Sequence, residues 1–211
     1  MAAITTDLDL ANAALYRCGA EKVTALADNS KSAQVVDHFL LSTIFEVARV
    51  LPWNCLIDRA SMTEETSHHQ NSAYAKVYDL HPTVPMTPAP LRILDVDGDS
   101  KIPFHVEGDY LYTDDTSGIL RYVGVPYSGG EVNWDALLID AMVARLASKI
   151  AFRLTQSLEL CSMLVQEYIT VLGIAVKVEA VETNNQDLMD LLAFMQEVNP
   201  MVLLTRNTSQ E

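Results

Sequence analysis

Apolar positions in this chain follow two rhythms, a helical one toward either end and an extended one between. Within residues 31–51, Ala33, Val36, Leu40, Val47 and Leu51 recur at spacings of three, four or seven. That spacing predicts an amphipathic helix, capped by Asn29 or Ser30 and ended by Pro52. A shorter helix precedes it, begun by Asp7 or Asp9, with Leu10, Ala14 and Leu15 on one side and Gly19 as its stop. From Trp53 the texture changes. Residues 53–62 and 73–80 read as strands on either side of the polar run TEETSHHQNS, an exposed loop or hairpin tip. The segment HPTVPMTPAP carries four prolines and must be extended, irregular chain. Residues 91–96, 102–106, 110–113 and 119–125 then alternate as short strands between Asp/Gly turns.

The helical rhythm returns at Asn133 or Asp135 and runs to about Leu154. Thr155 or Ser157 caps a fourth helix reaching about Ala180, with Leu160, Leu164, Tyr168, Leu172 and Ala175 along one side. An acidic stretch, residues 182–197, forms a short fifth helix that Pro200 stops, and MVLLTRNTSQE follows as an arm. The predicted fold is therefore α+β, mainly a bundle of four to five helices with an inserted small antiparallel β unit and an extended C-terminal arm. Its parts are residues 1–52 and 133–180 for the bundle, 53–132 for the β-rich insert, and 181–211 for the short helix and arm.

The third helix, NWDALLIDAMVARLASKIAFRL, has almost no polar face. Such a helix is expected to be buried on nearly all sides, by its own core or by copies of itself. Asp140, Arg145, Lys149 and Arg153 interrupt it, so it is not a membrane span. The arm makes a similar demand: Met201, Val202, Leu203 and Leu204 form an apolar cluster that docks either on another subunit or on the chain's own bundle.

Charge narrows the function classes. Against 28 Asp plus Glu stand 14 Lys plus Arg, a net charge of -14. This field repels nucleic acid and argues against a DNA-gripping protein, while suiting a conduit through which DNA passes; plain solubility is the other reading. Arg145, Lys149 and Arg153 depart from the acidic rule, lying on one stripe at four-residue spacing. They pair with acidic neighbours in the same chain, such as Glu159 or Glu167, or meet an acidic face on an adjacent copy and fix its register. Cys18, Cys55 and Cys161 are odd in number and sit in apolar contexts, which predicts reduced core residues in a reducing compartment. MAAITTDLDL lacks the pattern of a signal peptide.

Candidate catalytic groups are few. Asp95, Asp97 and Asp99 imitate half of a calcium loop, but Ser100 and Val106 replace the Gly and the bidentate Glu it requires, and a solvated turn is expected. Glu65 and His68 have the spacing of half a di-iron site whose second half is missing. His69 belongs to the same polar loop, and Asp114 and Asp115 are adjacent turn residues that point apart. No nucleophile elbow, phosphate loop or zinc-helix motif occurs, and no cofactor is expected. Trp53 and Trp134, at the two junctions between helical and β segments, are expected to pack in the core.

Taken in order, several segments resemble the tail tubular protein A family, the head-to-tail adaptors of short-tailed phages. They are the Pro52–Trp53 junction, LRILDVDG at 91–98, FHVEGDYLYTDD at 104–115 and LRYV at 120–123. Two helical segments follow, DALLIDAMVARLASKIAFRLTQS and VQEYITVLGIAVKVEA, with Tyr168 and Ala175 at recurrent family positions. The resemblance spans most of the chain; the long proline-rich stretch and the acidic terminal segment depart from it. It implies a virion protein of the phage neck, present in host cytoplasm during assembly. It further implies a homo-oligomeric ring, a dodecamer, that docks on the portal protein, receives the tail nozzle protein, and lets DNA through without specific binding or any membrane. The family carries no catalytic residues. Two other readings stay open: a small metal-dependent hydrolase using His68, His69 and the Asp95–Asp99 carboxylates, and a soluble assembly chaperone or interaction module.

Overall fold

Five helices and two small antiparallel sheets make up the described residues, giving an α+β fold with a helical bundle and an inserted β unit. The computed structural model describes residues 6–66, 73–80, 90–98, 101–124, 134–183 and 186–198. The chain divides into two units, Met1–Val47 with Gly130–Glu211, and Ala48–Gly129.

In the helical unit, α1 (Asp7–Arg17) is capped one residue earlier than expected, by Thr6. The Thr6 hydroxyl accepts from the Asp9 amide and the Asp9 carboxylate accepts from the Thr6 amide, both at 3.2 Å, so two free donors are satisfied reciprocally. Gly19, at φ +68, lets the chain turn back so that the Ala20 and Gly19 amides reach the Leu15 and Tyr16 carbonyls. Helix α2 (Lys31–Val50) starts where the Ser30 hydroxyl accepts from the Ala33 amide, and buries Ala33, Val36, Leu40, Ile44 and Val47.

Helix α3 (Ala136–Thr155) begins at Asp135, whose carboxylate accepts from the Leu137 amide at 2.8 Å. It packs on α1 and on α4 (Leu158–Thr183), and α5 (Gln186–Val198) packs on α4. A single left-handed residue, Gln156 at φ +57, makes the break between α3 and α4, and the Ser157 hydroxyl then receives the Leu160 amide.

Of the two ways to bury α3, the chain's own core suffices. Nine of its residues, from Leu138 to Ala151, are buried within this one chain, and Phe152 is its only exposed large apolar side chain. The four alanines among the nine explain how: without bulk on that side, flanking helices can come close from more than one direction.

In the β unit, residues 54–56 form a single 3₁₀ turn where a strand was expected, and β1 (Ile57–Ser61) follows it. The other strands are β2 (Thr63–Glu64), β3 (Lys76–Asp79), β4 (Pro90–Val96), β5 (Phe104–Glu107), β6 (Tyr110–Thr113) and β7 (Ile119–Gly124). One sheet has the order β1-β7-β4, the other β2-β3-β6-β5, and every pairing is antiparallel. In the first, Ile57 lies opposite Val123 and Ser61 opposite Ile119. Strand β4 carries two register shifts along β7. Both sheets feed one core of Met62, Tyr78, Leu80, Val96, Leu111, Leu120 and Tyr122. Trp53 is fully buried, as expected, and Trp134 is half-buried.

Candidate functional site

The basic stripe is largely consumed inside the chain. Both guanidinium donors of Arg145 that face Glu46 reach one carboxylate oxygen, at 2.6 and 2.8 Å, and the Lys149 ammonium bonds the other. Arg145 also lies over the Tyr168 ring, 5.3 Å from its centroid. Burial drives the Glu46 carboxyl upward, but the hydrogen bonds and charges of Lys149 and Arg145 outweigh it and hold the group below its ordinary range. Burial pushes the Tyr168 phenol up to about 12, with Arg145 opposing, so it is a neutral packing residue.

The intramolecular partner is therefore Glu46 of α2, where Glu159 or Glu167 was expected. Glu167 instead pairs with Arg17 of α1 at 2.9 Å, and Arg17 bonds Asp140 of α3 as well. Arg153 is exposed and makes no ion pair among the described residues, which leaves it the free cation of the three. Met201, Val202, Leu203 and Leu204 lie outside the described residues, as do His68, His69, Asp99 and Ser100.

What the sequence reading missed is a second apolar face on α4. One side of this helix buries Leu164, Tyr168, Val171, Leu172, Ala175 and Val176. Met163, Ile174, Val178 and Val181 sit on another side, spaced by eleven, four and three residues, which places them along one stripe. Met163 is 63 % exposed and Val181 66 %. On α5, Leu191 and Phe194 are exposed too. A signal existed: α4 alternates small and branched apolar residues so densely that, as in α3, no clear polar side remains. By length and composition α4 is also the one helix among the described residues able to cross a membrane, while its Glu167 is tied to α1 within the bundle.

In the β unit the acidic turns prove structural. Asp95 was expected in a solvated turn, but it is buried on β4 and its carboxylate accepts from Arg121 of β7 at 2.7 Å. Asp97, the next acid of the trio, is in the left-handed turn beyond the strand end. One member of the presumed metal-binding set is thus spent on a buried ion pair. No group of three or more potential ligands comes together among the described residues. Asp114 accepts from the Ala75 amide, and Asp115 accepts from Ser117 and from the Gly118 amide. Burial raises the Asp115 carboxyl and those hydrogen bonds lower it further than burial raises it. Both aspartates hold turns; neither is placed as an acid or base.

The cysteines divide. Cys18 is buried, and burial first, then the nearby Cys161 thiol, pushes its pKa to about 11. Cys161 is half-buried, but Cys55 is exposed, which corrects the expectation of three core thiols. The 3₁₀ turn that replaces the expected strand start turns Cys55 outward, while Leu56 packs inward.

No family model matches the chain, and no curated protein is similar to it. The functional reading therefore rests on the residues themselves.

Proposed function

We propose that this chain is a structural, non-enzymatic virion protein: the subunit of a ring-forming head-to-tail adaptor that docks on a portal and receives a tail nozzle, leaving a channel for DNA. The sequence resemblance supplies the identity of the partners. The observation that carries the assembly role is the outward apolar stripe of Met163, Ile174, Val178 and Val181 on a helix whose opposite side already fills the core. A surplus of this kind is stabilised by a neighbour. The net charge of -14 supports passage of DNA without adhesion.

Magnitudes indicate when the ring forms. A fully covered Val or Met contributes about 1.5–3 kcal/mol, and these four are already partly covered, so each adds on the order of 1 kcal/mol. Association costs roughly 4–15 kcal/mol. The stripe alone does not hold two free subunits together in dilute solution, so the ring closes where a template gathers the subunits, and the free protein is a monomer.

Mass measurement of the purified protein, alone and mixed with the portal of the same particle, tests this. The expected result is a monomer alone and a ring of defined mass on the portal. Val181→Glu and Met163→Glu are expected to keep the helical signal and lose the ring. Failure of the unaltered protein to join the portal under any condition, or unimpaired rings from both variants, would overturn the reading. A chaperone would bind assembly intermediates and be missing from purified particles.

A further inference from the structure

Strand β1 is one edge of the three-stranded sheet, and among the described residues it pairs with β7 alone. In the same register the Met62 amide bonds the Gly118 carbonyl. Hydrogen-bonded pairs alternate along an antiparallel ladder, so Arg59–Arg121 is a pair of the closer-spaced kind, with Cα atoms about 4.5 Å apart. Like charges set opposite one another weaken a sheet. The next strand gives partial relief: Arg121 lies opposite Asp95 of β4 and donates to its carboxylate through Nη1 at 2.7 Å. The rung thus reads acid, base, base across β4, β7 and β1, and it ends at the sheet edge with one positive charge in excess. Arg59 is exposed, and neither its guanidinium nor the remaining N–H groups of Arg121 make a hydrogen bond among the described residues.

An open cleft of about 470 Å³ lies at this point, wholly within the β unit, lined by Asn54, Ile57, Asp58, Arg59 and Arg121. It is poorly suited to an added strand, because two amides of β1 are already taken. Ile57 donates to the Asn54 carbonyl, and Arg59 donates to the Asp58 carboxylate at 2.7 Å. Recognition here therefore falls to side chains. On the same face the neighbouring rungs are Ile57–Val123 and Ser61–Ile119, and Ile119 is exposed. With Asp58 beside it and a net charge of -14 on the chain, the cleft suits a singly charged carboxylate over a doubly charged phosphate or a nucleic-acid strand. We propose that Arg59 and Arg121 form a binding site for a carboxylate side chain of a partner protein, carried on a segment with apolar residues beside the acid. The incoming group completes the rung as acid, base, base, acid, and takes both guanidiniums through the planar fork of donors that arginine offers. This inference goes beyond the adaptor reading and does not depend on it.

Nitrogen-resolved NMR of the arginine side chains of the full chain tests it, with an end-blocked peptide of alternating leucine and glutamate as the probe. Saturable shifts of the Arg59 and Arg121 Nε signals are expected. Arg59→Gln should weaken binding about tenfold, the loss of one charge-assisted contact, and Arg59→Lys should restore part of it. Arg153→Gln removes another exposed cation and should leave the affinity unchanged. The amide signals of β6 should stay in place in every variant, so that a loss reports the site and not the fold. Absence of a saturable shift in the unaltered protein overturns the proposal. So does equal binding by Arg59→Gln, or an equal loss with Arg153→Gln. Tighter binding of inorganic phosphate, or undiminished binding of the same peptide with glutamine in place of glutamate, overturns the carboxylate as the ligand.

Discussion

Replacing Glu46 by Gln is the most direct test of how the helical unit is held together. The side chain of Glu46 is 36 % exposed, against 28 % for Arg145 and 19 % for Lys149. Exposed pairs contribute about 0.2–1 kcal/mol, and breaking a fully buried one costs about 3–5 kcal/mol. With over a third of the carboxylate side chain in water, screening moves the expectation toward the lower bound. The two contacts together should contribute about 1.5 kcal/mol, a fall in Tm of about 4 °C. Thermal melts followed by circular dichroism would read it, with Asp37→Asn on the exposed side of α2 as a control expected within about 0.5 kcal/mol of the parent. The pH dependence gives a second readout. Because the folded state holds the Glu46 carboxyl below its ordinary value of 4.5, the stabilisation is complete above that value and disappears as pH falls through the lower folded one. The gap between parent and Glu46→Gln should therefore be flat near neutrality and close in acid. A neutral-pH difference below about 0.3 kcal/mol, or one that does not shrink in acid, would refute the reasoning.

Two further outcomes follow from the β unit and the thiols. Asp95→Ala leaves the Arg121 guanidinium without its carboxylate partner and opens a polar gap beside β4; since Arg121 is partly in water, the expected cost is about 2–3 kcal/mol by denaturant titration, and a cost below about 0.5 kcal/mol would contradict the buried pairing. In a thiol titration of the native protein, Cys55 should react first and Cys161 more slowly, with Cys18 appearing only on unfolding, because burial holds it as a thiol with a pKa of about 11. A fast Cys18 would mean that α1 does not pack as described.

How much of this was legible in the sequence depends on the range of the interaction involved. Helix starts were readable because caps are local: Ser30, Asp135 and Ser157 all accept amide hydrogen bonds from the turn they begin. Even the miss at Thr6 was one residue, and Asp9 still takes part in the cap. Strand positions from β3 to β7 followed from alternation and from Asp/Gly turns. The division into two sheets did not, because it depends on which edges meet, and period-two patterning says nothing about that. The site suffered most. Asp95 looked like a turn carboxylate because its partner Arg121 is far along the chain and on another strand. Glu46 was overlooked for the same reason, although a lone acid within FLLSTIFEVARV is itself a hint of a distant cation. Helix α3 drew attention for its greasy sequence, yet small alanines let it vanish into the bundle; the bulkier Met163 and Val181 on α4 could not.

The pairing of β1 with β7 closes the insert upon itself. The strand by which the chain enters the unit and the strand by which it leaves run side by side, Ile57 against Val123. An excursion that returns to its own doorway can be lengthened, exchanged or removed with little demand on the helices that flank it in sequence, since the loose ends already meet. The tips of such a module are where variation is cheapest, and the helical scaffold can be inherited while the appendage is retailored to whatever it must touch.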